Sequence, residues 1–152
     1  MVYMLLGTGF EETEAIAPLD LLRRAGLQVQ TVGLNGKIIY GSHGIGVETD
    51  LEIGQLDLTN LEMVILPGGL GGVASIKGCS AAMDAIRFAY ENGKFVAAIC
   101  AGPTILASLG ITDGRIITGT SAGCAIPFGL QLIAALKGQE AADTIAKQIV
   151  IR

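Results

Sequence analysis

Short apolar runs alternate with segments of helical spacing along the chain. The runs predict the strands of a sheet at residues 2–6, 27–34, 63–66, 95–99 and 115–118. Segments in which apolar residues recur three and four positions apart predict helices at residues 11–25, 80–92, 102–109, 125–136 and 140–147. Alternating strands and helices are typical of a parallel sheet covered by helices on both faces, so the pattern predicts an α/β fold.

Two glycine-rich segments interrupt this alternation. Residues 37–47 contain three glycines and predict a hairpin-like excursion from the sheet, and residues 66–72 predict a tight turn. Residues 149–151 end the pattern as a short strand or tail. Because no repeat or linker divides the chain, we expect a single domain over residues 1–152.

The composition agrees with this fold class and narrows the partners. Hydrophobic residues make up 51% of the chain and aromatic residues only 5%, which favours α/β over an all-β sandwich. The net charge is −4 and the ten lysines and arginines are scattered, so no basic stripe fits a nucleic-acid backbone. No apolar run reaches the roughly 18 residues of a membrane span, and Gly7 interrupts the first run too early for a signal peptide. We therefore expect a cytoplasmic protein without nucleic-acid or membrane partners.

The chain has three cysteines, Cys79, Cys100 and Cys124. An odd number without C-x-x-C spacing argues against a disulfide framework and a zinc knuckle, so at least one thiol should be free. Cys79 precedes a predicted helix without a strand turn before it, and Cys124 begins a helix of core residues. We expect these two cysteines to be structural.

Cys100 differs because it stands directly between a predicted buried strand and a predicted helix. A sharp strand-to-helix turn projects a side chain over the carboxyl end of a parallel sheet. Free N–H groups at the start of the following helix stabilise a thiolate and lower its pKa from about 8.5 to between about 3.5 and 7.5. We therefore predict a reactive nucleophile at Cys100, against the alternative of a small buried hydrophobic residue.

A serine nucleophile is the competing interpretation. Residues 119–123 match G-x-S-x-G after a predicted strand, which would make Ser121 the nucleophile. Such a serine needs a histidine base, and the one histidine, His43, lies far upstream in the glycine-rich excursion. We expect His43 to make a surface hydrogen bond or a dimer contact, and no neighbouring ligand makes it part of a metal site.

Three glutamates stand near the start of the first predicted helix. Acidic side chains in a first turn complement the helix dipole, and we assign this role to Glu11 and Glu12. Glu14 lies deeper in the helix, where a carboxyl facing the ends of the strands would be desolvated and its pKa raised. The residues alone leave Glu14 open between a structural carboxyl and a proton carrier.

Four motifs together resemble the ThiJ/PfpI superfamily, and within it the branch of the Parkinsonism-associated protein deglycase. They are GFEETE at residues 9–14, RRAG at 23–26, LPGG at 66–69 and AICAGP at 98–103. The resemblance implies a flavodoxin-like sandwich, usually dimeric and without a cofactor, in which Cys100 is an easily oxidised nucleophile. It also implies that a protonated Glu14 is hydrogen-bonded to Cys100, and that the backbone N–H groups of Gly69 and Ala101 form an oxyanion site.

The chain departs from the family in one large respect. Relatives carry a further segment between the helix at 102–109 and the strand at 115–118, with a strand pair and commonly a histidine near the cysteine. This segment is missing near residues 112–114, either because the protein has lost it or because the sequence omits residues of the full protein. We favour the second explanation. A smaller departure, at residues 120–127, leaves loop specificity open.

The resemblance suggests cofactor-free chemistry on reactive carbonyls. The Cys100 thiolate would add to an aldehyde such as a glyoxal or its protein adduct, while Glu14 moves the proton. One alternative is an oxidative-stress sensor or chaperone that acts through oxidation of Cys100. Another is a cysteine amidase or peptidase, which would require an imidazole, supplied by His43 from another subunit. We expect a homodimer, a small carbonyl compound or glycated protein as substrate, and neither metal nor cofactor.

Overall fold

A parallel sheet forms the centre of the molecule. The computed structural model of the chain describes residues 1–150. Its sheet strands are β1 (Val2–Leu6), β2 (Val29–Gly33), β5 (Leu51–Glu52), β6 (Met63–Leu66), β7 (Phe95–Ile99) and β8 (Ile116–Gly119). They pair in parallel in the order β5-β2-β1-β6-β7-β8. A separate antiparallel hairpin consists of β3 (Ile38–Tyr40) and β4 (Gly46–Glu48).

Helices cover both faces of this sheet. They are α1 (Glu12–Arg24), α2 (Leu70–Lys77), α3 (Ser80–Glu91), α4 (Pro103–Ser108), α5 (Ala125–Lys137) and α6 (Gln139–Gln148), with short 3-10 helices at Ile53–Gln55 and Ala122–Cys124. Along β1, Val2 and Met4 pack in the core beneath α1, α5 and α6, whereas Tyr3 and Leu5 pack beneath α2, α3 and α4. The alternation of strand side chains therefore builds two cores. The predicted flavodoxin-like α/β sandwich is confirmed.

All five predicted strands and all five predicted helices are present, with ends within two residues of the predicted ones. The hairpin predicted at residues 37–47 is also present. Of the predicted closing strand or tail at residues 149–151, Ile149 is the C-cap of α6 and residue 151 lies outside the described residues. Within residues 1–150, no helix is long and apolar enough to cross a membrane.

The tight turn predicted at residues 66–72 was wrong in its second half, because α2 begins at Leu70. Its glycines are required by close packing rather than by a turn. A Cβ atom on Gly72 would lie 2.7 Å from the Phe10 Cα, and one on Gly71 would lie 3.1 Å from the Gly9 Cα. A helix made of poor helix formers is therefore retained because it packs directly on the loop after β1.

The strand order reverses beside β1, since β2 lies on one side of it and β6 on the other. In open parallel sheets, a crevice forms at such a reversal, beyond the carboxyl ends of the strands. The loop after β1 (residues 7–11), the loop after β6 (residues 67–69) and the turn after β7 all meet at this edge. The fold thus brings the predicted site residues to one place.

Candidate active site

Cys100 occupies a strained turn at the end of β7. Its φ is 60°, a left-handed conformation that side-chain-bearing residues rarely adopt. Its N–H donates to the Gly119 carbonyl oxygen at 2.9 Å, and the residue is exposed. A Cβ atom on Gly102 would lie 2.7 Å from the Leu66 carbonyl oxygen, so the chain can turn this sharply only with glycine there. The predicted elbow is present.

Glu14 projects from α1 towards this cysteine. The residue is only 1% exposed, and its Oε2 accepts a hydrogen bond from the Gly68 N–H at 2.9 Å. Burial raises the pKa of Glu14, although the Cys100 thiol and a hydrogen bond from the Gly68 N–H oppose that increase. The raised pKa agrees with the expectation for a desolvated carboxyl. Glu14 and Cys100 both lie against Gly68, and the hydrogen bond between them stays a prediction.

The loop after β6 holds this pair together. A Cβ atom on Gly68 would lie 2.8 Å from the Cys100 Cβ and would collide with the Glu14 carboxylate. Gly69 has a φ of 85°, and a Cβ atom there would lie 2.6 Å from the Glu11 nitrogen. Both glycines are therefore needed for the loop to approach α1 and the elbow.

The two N–H groups predicted to form an oxyanion site belong to the loop after β6 and to the turn after β7, which meet at one edge of the sheet. The Ala101 N–H is in hydrogen-bonding position to the Cys100 sulfur, which lowers the thiol pKa. Within residues 1–150, neither the Gly69 N–H nor the Ala101 N–H donates to a protein oxygen. The Gly69 N–H is available to a substrate oxygen, whereas the Ala101 N–H acts on the Cys100 sulfur, and the role of both in catalysis stays a prediction.

The predicted lowering of the Cys100 pKa was wrong. Desolvation raises the pKa of this thiol, and the carboxyl groups of Glu14 and then Glu11 raise it further. The Ala101 N–H lowers the pKa, but not enough to reverse the shift. Cys100 and Glu14 act on each other's pKa, because a negative charge on one group disfavours a negative charge on the other.

Ser121 lacks the geometry of a nucleophile elbow. Its φ of −169° and ψ of −179° are ordinary extended values, and the 3-10 helix at Ala122–Cys124 follows it. The His43 ring is 71% exposed, and its Nδ1 contacts the Glu12 carboxylate at 2.9 Å and the Ser42 hydroxyl at 3.1 Å. Within residues 1–150, the structure thus gives Ser121 no histidine partner, whereas the expected surface hydrogen bond of His43 is present.

Glu12 has a role that the sequence did not reveal. It is only 6% exposed, and its Oε1 accepts a hydrogen bond from the His43 N–H at 2.7 Å. Burial acts to raise the pKa of Glu12, but hydrogen bonds from the His43 side chain and backbone lower it to about 2. Glu12 therefore fastens the β3–β4 hairpin to α1, whereas Glu11 caps that helix by accepting from the Glu14 N–H at 2.7 Å.

Glu11, Glu12 and His43 are also the described residues whose arrangement could hold a metal ion. Their ligand atoms lie within 4.8 Å of one another. The Glu12 carboxylate and His43 already bond each other, and Glu11 already caps α1. Hydrogen bonding explains this cluster, and we assign no metal to it.

The other two cysteines lie outside the Cys100–Glu14 pair. Cys79 packs against the core beneath α2, α3 and α4, in agreement with a structural role. The Cys124 sulfur lies 3.4 Å from the Thr120 hydroxyl oxygen, and hydrogen bonding from Thr120 lowers the pKa of this thiol. Cys124 therefore differs from a fully buried core thiol, because it is only partly buried.

Three proteins illustrate what the chain resembles. The Drosophila melanogaster protein dj-1beta is 31% identical to this chain, over 97% of this chain and 95% of its own length. The crystal structure of DJ-1beta superposes on this structure with a TM-score of 0.94 at 30% identity, and the match covers 99% of this chain and 97% of that one. Deglycase TK1284 of Thermococcus kodakarensis is 34% identical over 78% of this chain and 71% of its own length. The glutathione-independent glyoxalase DJR-1.2 of Caenorhabditis elegans is 26% identical over 93% of this chain and 90% of its own length.

The alignment with dj-1beta extends over 178 positions, whereas this chain has 152 residues. At least 26 alignment positions therefore stand opposite no residue of this chain. In the structure, Ile111 is buried in the connection from α4 to β8, and the Tyr90 hydroxyl donates to the Asp113 carboxylate at 2.8 Å. The missing segment near residues 112–114 stays a prediction.

The family model described as DJ-1/PfpI matches residues 1–135, well over half of the chain. This match agrees with the motifs at residues 9–14, 66–69 and 98–103, which the fold assembles at one edge of the sheet. The resemblance to the ThiJ/PfpI superfamily is thereby confirmed: the chain belongs to the DJ-1/PfpI family.

Proposed function

We propose that this protein is a cofactor-independent enzyme that acts on reactive carbonyl compounds through Cys100. The observation that carries the proposal is that an exposed Cys100 with a left-handed φ and a buried Glu14 carboxyl group both lie against Gly68. The names of two relatives, a deglycase and a glutathione-independent glyoxalase, support a carbonyl substrate. Small aldehydes of the glyoxal type and carbonyl adducts of proteins are the substrates we infer.

The first step joins the sulfur to the carbonyl carbon. The thiol proton passes to the Glu14 carboxylate, and the sulfur attacks the aldehyde carbon. The electron pair of the carbonyl double bond moves to oxygen, where the N–H groups of Gly69 and Ala101 stabilise the negative charge. Glu14 then returns its proton to that oxygen. The product of this step is a hemithioacetal on Cys100.

The second stage regenerates the thiol. For glyoxal, Glu14 removes the proton from the hemithioacetal carbon, and reprotonation of the neighbouring carbon gives a thioester. Water hydrolyses the thioester, which frees the Cys100 thiol and releases a hydroxy acid. For an aminocarbinol adduct of glyoxal on a protein, removal of the proton from the sulfur-bearing carbon expels the protein amine, which takes up that proton, and the enediol left on Cys100 rearranges to the same thioester. Neither sequence of steps consumes an oxidant or a cofactor.

A redox sensor is the second candidate, because exposure of Cys100 also makes its sulfur accessible to peroxide. A raised thiol pKa lowers the thiolate fraction for oxidation and for attack on a carbonyl alike, and the names of the relatives favour the enzyme. An amidase or peptidase is disfavoured because it needs an imidazole beside the sulfur, and His43 is bonded to Glu12. Homodimerisation and a cytoplasmic location remain predictions.

Turnover of glyoxal and methylglyoxal by purified protein tests the proposal. We expect hydroxy acid formation by the wild type, its loss in Cys100→Ser and a decrease of at least about 100-fold in Glu14→Gln, which keeps the shape but not the proton transfer. Cys79→Ser is the matched control and should retain activity. If the wild type shows no turnover while peroxide oxidises Cys100 stoichiometrically, as seen by mass spectrometry, the sensor candidate replaces the enzyme.

A further inference from the structure

Two carboxyl groups raise the pKa of the Cys100 thiol: that of Glu14, in α1, and that of Glu11, the N-cap of α1. The Glu11 side chain is fixed, because its Oε2 accepts the Glu14 N–H at 2.7 Å as the N-cap of α1. Its backbone is fixed too, because its N–H donates to the Gly68 carbonyl oxygen at 3.0 Å. Glu11 is therefore attached both to the helix that carries Glu14 and to the loop that contacts Cys100.

Among residues 1–150, one cation accompanies this negative charge: His43, when protonated, lies with its ring nitrogen within 4.8 Å of the Glu11 carboxylate, and the charge of Glu11, Glu12, Glu14 and His43 together stays negative. The charged groups that act on Cys100 are the carboxyl groups of Glu14 and Glu11. The ion pairs of the described residues involve neither of these two glutamates. The charge that His43 carries when protonated is matched by Glu12, which it contacts at 2.9 Å. A substrate that reaches the sulfur thus enters a region of negative potential.

We propose that this site admits neutral and cationic carbonyl compounds and rejects anionic ones, and that Glu11 is the residue that sets this selectivity. The inference deepens the proposed function and rests on it for the reaction itself. Glyoxal is neutral, and an aldehyde adduct of an arginine side chain retains a positive charge, so both are admitted. Glyoxylate carries the same aldehyde beside a carboxylate and is rejected. The same holds for sugar phosphates.

Alkylation of Cys100 tests the selectivity without requiring catalysis. Iodoacetamide is neutral and iodoacetate is anionic, and in both reactions sulfur bonds to the methylene carbon, iodide leaves and the thiol proton passes to the buffer. The rate of alkylation at the Cys100 peptide is followed by mass spectrometry for each reagent. Each rate is then divided by the rate at which the same reagent alkylates 2-mercaptoethanol. The ratio of the two normalised rates cancels changes in thiol pKa, which affect both reagents equally.

We expect the neutral reagent to be favoured by about three- to tenfold at low ionic strength, the effect of a like charge a few ångströms away near a protein surface. Glu11→Gln retains an oxygen that can cap α1 and should lower the ratio, but not to unity, because the Glu14 carboxyl group remains. Glu91→Gln makes the same charge change at the exposed end of α3 and should leave the ratio unchanged. In the wild type, about 1 M salt should also lower the ratio, because a screening length of about 3 Å suppresses the repulsion.

The inference is overturned by a wild-type ratio near unity, by a ratio that salt does not lower, or by one that folded Glu11→Gln does not lower. The salt measurement needs no variant, so it can overturn the inference even if Glu11→Gln fails to fold. A ratio that behaves as expected, together with no turnover of any carbonyl, rejects the proposed function and leaves the charge selectivity standing. With active enzyme, the preference for glyoxal over glyoxylate should also fall in Glu11→Gln.

Discussion

The left-handed conformation of Cys100 lowers the stability of the folded state and fixes the position of the sulfur atom. A residue with a side chain held at such a φ destabilises the folded state by about 1–3 kcal/mol. Cys100 has a φ of 60°, and its neighbours Ala101 and Gly102 are small enough to let the chain turn there. This strained turn places Cys100 against Gly68, which Glu14 also contacts.

Replacing Cys100 by glycine should therefore relieve the strain. We expect Cys100→Gly to be more stable than Cys100→Ala by about 1 kcal/mol, although glycine normally destabilises a folded chain relative to alanine. The free energy of unfolding in urea measures the difference. Gly54→Ala, at a position with open space and no left-handed φ, provides the ordinary comparison. If Cys100→Ala is the more stable of the two variants, the elbow is not strained.

Gly68 is the second residue on which the placement of Cys100 and Glu14 depends. The methyl group of Gly68→Ala would lie 2.8 Å from the Cys100 Cβ and would collide with the Glu14 carboxylate. We expect a decrease of about 100-fold in turnover, because displacement of reacting groups by about 1 Å is enough for that loss. Gly54→Ala is again the matched control. Unchanged carbonyl turnover in Gly68→Ala would mean that this placement does not contribute to catalysis.

At the scale of elements, the β3–β4 hairpin and α1 are joined by the Glu12 carboxylate. Backbone hydrogen bonds from Gly9 to Tyr40 and from Ser42 to Phe10, each 2.8 Å long, join the hairpin to the loop after β1. That loop contains Glu11, whose N–H is bonded to Gly68. The hairpin therefore supports the active site from outside, without contributing a residue to the Cys100–Glu14 pair.

The stabilisation by Glu12 should depend on pH in two directions. Its pKa falls from 4.5 to about 2 on folding, so its contribution is complete above pH 4.5 and is lost as the pH falls towards 2. The contact with Glu12 raises the pKa of His43 above 6.5, so the contribution of that group is complete below pH 6.5 and is lost at higher pH. We expect the loss of stability in Glu12→Gln to be largest between pH 4.5 and 6.5.

Urea unfolding of the wild type and of Glu12→Gln over this pH range measures the effect. Glu48→Gln is a suitable control because Glu48 is an exposed carboxyl of the same hairpin. A difference between wild type and Glu12→Gln that stays constant from pH 3 to pH 8 would contradict a charged Glu12–His43 contact.

Strands and helices could be predicted from sequence where the pattern of apolar residues within the element itself indicates them. Buried runs such as β6 and β7 were found because parallel strands covered on both faces are apolar throughout. The helix α2 was missed because Gly71 and Gly72 serve its packing against Gly9 and Phe10, a contact that only the fold creates. Glu12 was assigned to the helix dipole for the same reason, since its partner His43 is distant in sequence.

In the candidate site too, features set by neighbouring residues could be predicted, whereas features set by contacts between distant residues could not. The elbow at Cys100 could be predicted from the small residues around it, and the motifs of the family identified Glu14 and Gly69. The direction of the Cys100 pKa could not be predicted, because it depends on how deeply the thiol is desolvated and on two carboxyl groups of another element. Helix-terminus stabilisation is the weaker influence here.

At the scale of the whole molecule, an apolar groove of about 730 Å³ lies between α1, α5 and the residues after α6. Ile16 lines it and is 39% exposed, which is unusual for a large apolar side chain beside a core. This face supports the predicted homodimer, because a second copy of the chain would remove it from water.

Light scattering after size exclusion tests that assembly. We expect a dimer of the wild type and a shift towards monomer in Ile16→Asp, which buries an unpaired charge in the contact. Leu70→Asp is the matched control, since Leu70 is 83% exposed on α2, across the sheet from α1. A monomeric wild type would contradict the prediction, and dissociation of the dimer by Leu70→Asp alone would assign it to another face.

The central claim is that Cys100 forms a covalent bond to a carbonyl carbon while Glu14 carries the proton. The most direct measurement is rapid acid quenching of the enzyme during turnover of glyoxal, followed by mass analysis of its cysteine peptides. We expect a glyoxal-derived adduct on the Cys100 peptide and none on the Cys79 and Cys124 peptides. This adduct should persist longer in Glu14→Gln. Turnover without an adduct on Cys100, or turnover that survives in Cys100→Ser, would contradict the central claim.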